Sequence, residues 1–167
     1  SAELDQIDAL VLPGGESTTI AQLSEVFGIY DQIKDRIVQG MPVYGSCAGM
    51  ILLANEILDA KVGQKSFGGL DITVRRNAFG RQVDSFESDI AFADGSEQLI
   101  RAVFIRAPWV EKVSESVQVL ASVDSHPVAV RSATALATSF HPELTGDNRI
   151  HRYFIEQVAR PALQKVK

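Results

Sequence analysis

The chain has 167 residues, 46% hydrophobic and 22% charged, with 16 Lys and Arg against 21 Asp and Glu for a formal net charge of −5. Such a chain suits a single globular domain, and its acidic balance excludes the basic footprint of a nucleic-acid binder. One Cys allows no internal disulfide, three His give little for a structural zinc site, and neither a leader nor a long apolar span is expected, which points to the cytoplasm and away from a membrane.

Ala9-Leu10-Val11-Leu12 has the apolar character of a strand and stops at Pro13-Gly14-Gly15. Ser17 is placed to cap a helix running to about Phe27, with Ile20, Leu23, Val26 and Phe27 on one face. Tyr30 to Gln39 predicts a short helix closed by Gly40, Pro42 to Gly45 the next strand, and Gly49 to Leu58 the next helix. This strand–helix alternation implies parallel strands joined by crossover helices. The second half is richer in strands, predicted over 70–74, 86–92, 102–106, 117–123, 127–131 and 136–140. A final helix from about Asn148 to Ala159 carries Ile150, Tyr153, Phe154 and Val158 at helical spacing. The expected fold is a single α/β domain, a doubly wound, mixed and mostly parallel sheet flanked by helices.

Cys47 lies in Val43-Tyr44-Gly45-Ser46-Cys47-Ala48-Gly49-Met50, between a predicted strand and a predicted helix. A nucleophile on a tight strand-to-helix turn between small residues is an elbow arrangement. Glycines on either side allow a sharp bend and close approach of a carbonyl, and the helix start is expected to favour thiolate. His141-Pro142-Glu143 follows a predicted strand. Residues two apart in extended chain point the same way, so Glu143 can orient the imidazole and leave its other nitrogen for the thiol. Together Cys47, His141 and Glu143 supply nucleophile, base and orienter. Gly15, in Pro13-Gly14-Gly15-Glu16-Ser17, ends a strand where ligands bind in open α/β sheets, and could lend an oxyanion donor beside the Ala48 N–H. A phosphate cradle would want Gly-Lys-Ser/Thr there, and Glu16 puts a negative charge in the way.

Taken singly, these residues have plainer readings. A lone Cys is most often a small buried core residue. His126 and His151 are read as structural or solvated. Arg75 and Arg76 are read most simply as solvent charges on a strand, and since adjacent strand residues face opposite sides, at most one of them is expected to line a pocket. Trp109 is read as packing.

In combination the motifs resemble a known family. Residues 13–19 (Pro-Gly-Gly-Glu-Ser-Thr-Thr), 44–50 around Cys47 and 139–144 around His141 are similar to those of class I (triad) glutamine amidotransferases. Ser46 and Ala48 beside Cys47, Arg75 to Gln82, Ser85-Phe86-Glu87 and Phe104 to Pro108 resemble one branch, the glutaminase subunits of pyridoxal 5'-phosphate synthase. The resemblance implies release of ammonia from L-glutamine, without a cofactor or metal, for a (β/α)8-barrel synthase subunit in a hetero-oligomer. It places the nucleophile at Cys47 and its partners at His141 and Glu143. Glutamine contacts fall on Gly15, Glu16, Ser17, Arg76, Ile105 and Arg106, and a cation at Arg76 suits an α-carboxylate. Members of this family carry a strand, a helix and a second strand ahead of the position where this sequence starts, so the domain is expected to be N-terminally truncated. Two other readings are a cysteine hydrolase of another pathway, such as a γ-glutamyl hydrolase, and an inactive partner domain.

Overall fold

A computed structural model of the chain describes residues 3–79 and 85–164. Gly80, Arg81 and Gln82 of the branch motif lie outside the described residues. A 3₁₀ turn at Leu4–Gln6 leads to strand β1 (Leu10–Leu12), helices α1 (Ser17–Val26) and α2 (Tyr30–Val38), strand β2 (Val43–Ser46), helix α3 (Ala48–Leu53) and strand β3 (Ala54–Leu58). Seven strands follow: β4 (Leu70–Arg75), β5 (Ser85–Ile90), β6 (Ile100–Ile105), β7 (Trp109–Val113), β8 (Gln118–Val123), β9 (His126–Arg131) and β10 (Ala135–Thr138). A 3₁₀ turn (Pro142–Leu144) and a long helix follow as the last described elements, the latter built as α4 (Arg149–Tyr153), a π-helical turn (Phe154–Ala159) and α5 (Arg160–Gln164).

The strands form a five-stranded sheet in the order β1-β2-β10-β9-β8, a three-stranded sheet β3-β4-β7 and a hairpin β5-β6. In the first sheet β1 and β10 flank β2 in parallel, with Leu12 opposite Gly45 and Thr138 opposite Ser46. Strands β9 and β8 extend it antiparallel. The mixed, helix-flanked α/β architecture is thus present, with its strands divided among three sheets.

All of β2 and β10 is buried, as expected of strands covered on both faces. Their side chains alternate between two cores. Val43, Ala135 and Ala137 pack with Ala21 of α1, Ile33 and Ile37 of α2, and Met50 and Leu53 of α3. Tyr44 and Leu136 face the opposite way, against Ile150, Phe154 and Val158 of the terminal helix. Each fully buried large apolar side chain, such as Val43 or Leu136, contributes roughly 1.5–3 kcal/mol relative to exposure.

Three local expectations give way to tertiary context. Glu16, not Ser17, caps α1, its carboxylate accepting the Thr19 N–H at 2.8 Å. Helix α1 buries Ser17, Thr18, Ala21 and Ser24, leaving Leu23, Val26 and Phe27 exposed. Small residues permit close packing, and the hydroxyls are satisfied: Ser24 donates to the Ile20 carbonyl, Ser17 and Thr18 to Gln64. The helix expected through Leu58 ends at Leu53, because Ala54–Leu58 pairs in parallel with β4 as strand β3. Strand β7 is also new, its antiparallel pairing with β4 holding Trp109 opposite Arg75. No helix among the described residues is long and apolar enough to cross a membrane.

Candidate active site

Central strand β2 delivers Cys47 to the carboxyl end of the sheet with φ 49° and ψ −102°, a backbone state L-residues rarely adopt. Such a residue costs about 1–3 kcal/mol and persists only when its surroundings over-determine it. Here the Cys47 N–H donates to the Thr138 carbonyl at 2.8 Å, and the Cys47 carbonyl accepts from Met50 N–H at 3.0 Å. The two glycines serve packing. A Cβ on Gly45 would lie 3.0 Å from Gly49 Cα, and one on Gly49 3.2 Å from the Leu12 carbonyl carbon, with still closer backbone contacts in both cases. The elbow folds on itself and drives α3 against β1, which only glycine permits at these points.

The Cys47 thiol is buried, and its Sγ donates to the Ile105 carbonyl at 3.8 Å. Burial pushes its pKa up to about 11, with the Ala48 N–H pulling the other way, Glu143 adding to the rise and Arg106 opposing it. The helix start, expected to favour thiolate, is outweighed here: desolvation exceeds the pull of the Ala48 N–H at the end of a six-residue helix.

His141 follows β10, tied down by its N–H to the Val103 carbonyl at 2.9 Å. Its Nδ1 lies 2.7 Å from Glu143 Oε1. A carboxylate accepts, so Nδ1 carries the proton in this contact and Nε2 points away from Glu143. The two side chains meet through the 3₁₀ turn at Pro142–Leu144 rather than along an extended strand. Gly14 makes room for the ring, since a Cβ there would collide with the imidazole.

A cavity of about 410 Å³ joins these parts. Gly15, Glu16, Ser17, Cys47, Ala48, Arg76, Ile105, Arg106 and His141 line it together with Ile51, Lys61 and Asn77. Every residue expected at the site lines this cavity except Glu143, which stands behind His141. Gly15 (φ 134°) and Arg106 (φ 44°) both have left-handed backbones.

Glu16 Oε2 accepts the Thr19 N–H and hydroxyl, and Oε1 accepts from Lys61 Nζ at 3.4 Å and Arg76 Nη2 at 3.0 Å. Burial works against its charge, but the Thr19 and Lys61 donors prevail and hold the carboxyl at about 2. Arg76 is well covered, its side chain 9% exposed, whereas Arg75 turns outward to Asp59 and Glu111. One of the pair thus enters the cavity, although Arg76 lies just past the end of β4 and not on the strand. Sequence reasoning missed Lys61, Ile51, Asn77 and Gln64, whose placement comes from tertiary packing; Gly14 lay in a recognised motif without its service to His141 being visible.

The Cys47 elbow, the imidazole held by Glu143 and the Arg76 guanidinium thus meet at one cavity of an α/β sheet flanked by helices, an arrangement found in amidotransferases. Residues 1–160 match the model of the SNO glutamine amidotransferase family, and the chain belongs to that family. It is 59% identical over 156 residues to "Pyridoxal 5'-phosphate synthase subunit PdxT" of Mycobacteroides abscessus, covering 93% of this chain and 80% of that protein. It is 57% identical over 160 residues to the protein of the same name from Mycolicibacterium vanbaalenii, covering 94% and 82%. A solved structure described as a glutamine amidotransferase superimposes with a TM-score of 0.86 at 46% identity, covering 94% of this chain and 82% of that one.

Proposed function

We propose that Cys47, His141 and Glu143 hydrolyse L-glutamine to glutamate and ammonia, and that the ammonia passes to a synthase subunit making pyridoxal 5'-phosphate. The chain is the glutamine-hydrolysing subunit of that enzyme. The observation that carries the residue assignment is the joining of the Cys47 elbow, the His141–Glu143 pair and Arg76 by one cavity.

Cys47 passes its proton toward His141 as Sγ attacks the side-chain amide carbon of glutamine. Gly15 and Ala48 N–H groups steady the oxyanion. His141 then protonates the departing nitrogen, ammonia leaves, and a γ-glutamyl thioester remains. His141 next takes a proton from water, the resulting hydroxide opens the thioester, and glutamate leaves with the thiol restored. Glu143 keeps Nδ1 protonated and the ring oriented. Glu16, Ser17, Arg76, Ile105 and Arg106 hold the amino-acid end of the substrate, with Arg76 against the α-carboxylate. The partner is a (β/α)8 barrel that combines the ammonia with a pentose phosphate and a triose phosphate.

The test is ammonia release from L-glutamine with and without the synthase subunit, using Cys47→Ala as control. Turnover that requires Cys47 and increases with the partner supports the reading; turnover that survives Cys47→Ala overturns it.

A further inference from the structure

Gln64 stands in the segment between β3 and β4 and is half-buried. Its Oε1 accepts three hydrogen bonds: from Ser17 Oγ at 3.0 Å, Thr18 Oγ1 at 2.9 Å and Arg76 Nη1 at 3.0 Å. Its Nε2 donates to the Lys65 carbonyl at 2.9 Å. The orientation of the amide is fixed chemically, because a guanidinium has no acceptor and only the oxygen can face Arg76.

These donors come from separate parts of the fold. Ser17 and Thr18 open α1, next to the Gly15–Glu16 wall of the cavity, whereas Arg76 follows β4 in the other sheet. Gln64 ties the two together. With Glu16 holding Nη2 and Gln64 holding Nη1, the plane of the Arg76 guanidinium is set from two sides. Arg recognises carboxylates through a rigid planar fork, so its aim decides how well an α-carboxylate is bound.

A carbonyl oxygen offers two lone pairs, yet three donors converge on this one. A ligand can therefore draw the Ser17 hydroxyl or an Arg76 N–H toward itself without leaving Gln64 unsatisfied. Neutrality matters equally. Arg76 already faces the Glu16 carboxylate, and a second anion at position 64 would compete with an incoming carboxylate for the same cation.

We infer that Gln64 is a positioning residue for substrate binding, aiming Arg76 and Ser17 at the α-carboxylate of glutamine. The inference rests on the glutaminase reading above. Its test compares L-glutamine with L-glutaminamide, whose α-carboxylate is replaced by a neutral amide, in the full chain with its synthase subunit. Gln64→Met removes the acceptor at similar length, and Gln64→Glu keeps an acceptor but adds charge.

Both variants should raise KM for L-glutamine about tenfold or more with kcat little changed, in line with a disturbed hydrogen bond to a charged group. Their KM for L-glutaminamide should stay within about twofold of that of the unsubstituted chain. Equal loss with both substrates, or a fall in kcat alone, would reduce Gln64 to a structural strut and overturn the inference. Calorimetric binding of both ligands to Cys47→Ala, with and without Gln64→Met, gives the same comparison without turnover. If Cys47→Ala leaves turnover intact, the glutaminase reading fails, and the binding comparison still decides whether Gln64 aims a carboxylate site.

Discussion

Gly14 and His141 are fitted to one another: a Cβ on Gly14 would come within 3.0 Å of His141 Nδ1 and closer still to Cε1. Gly14 lies outside the left-handed backbone region, so an alanine is conformationally acceptable there and its methyl must displace the imidazole. Gly14→Ala is expected to lower ammonia release by about 10² or more while leaving the fold intact, since a shift of about 1 Å in a catalytic group has that effect. Glutamine turnover alongside a thermal melt checks this; loss of activity only in proportion to unfolding would contradict it.

The strained Cys47 backbone predicts a trade between stability and activity. Glycine adopts φ 49° and ψ −102° at little cost, whereas alanine keeps the strain. Cys47→Gly should therefore be more stable to urea than Cys47→Ala by about 1 kcal/mol or more, with both inactive. Equal stability would mean that the elbow is not strained.

Burial of the Cys47 thiol sets an alkaline limit. Its pKa rises from an ordinary value of 9.0 to about 11 on folding, so the folded chain favours the neutral form. The corresponding stability is fully present below about 9 and is lost as pH climbs through about 11. Urea unfolding of the unpartnered chain should weaken across this window more than that of Cys47→Ala. Iodoacetamide should label Cys47 slowly near neutrality and faster toward pH 11.

Glu16 sets an acid limit of opposite sign. Burial disfavours its charge, but the Thr19 and Lys61 donors hold its pKa near 2 against an ordinary 4.5. The stability it contributes is present above about 4.5 and fades as pH falls toward 2. Glu16→Gln should destabilise the chain at pH 7 by about 1 kcal/mol through the weakened α1 cap, with the difference shrinking in acid. It should also raise KM for glutamine, because Arg76 loses its charged tether.

Motifs with fixed local geometry were readable from the sequence. Cys47 between Gly45 and Gly49, the Gly14-Gly15-Glu16 turn and His141 with Glu143 each announce themselves within a few neighbouring residues. The features that escaped depend on distant partners. Gly49 to Leu58 reads as one continuous helix, yet pairing with β4 makes a strand of Ala54–Leu58. Val26 of α1 and Phe27 just beyond it face outward, while Ser17 and Thr18 are buried with their hydroxyls donated to Gln64. Gln64 itself belongs to no motif, because its three donors are separated from it by 12 to 47 positions.

Thr138 stands opposite Ser46 in the parallel pairing of β10 with β2, and the Cys47 N–H closes the ladder onto the Thr138 carbonyl. The spacing between the chain segments bearing thiol and imidazole is thereby inherited from the repeat between adjacent strands, about 4.8 Å, rather than from any loop. Lys61, Gln64 and Arg76 belong to another sheet and its connections. Under the proposed reading the grip on the substrate is shared between two sheets: Glu16 and Ser17 follow β1, whereas Gln64 and Arg76 flank β4, so drift in the β3–β4 segment can retune how the amino acid is held without touching the β2–β10 pairing.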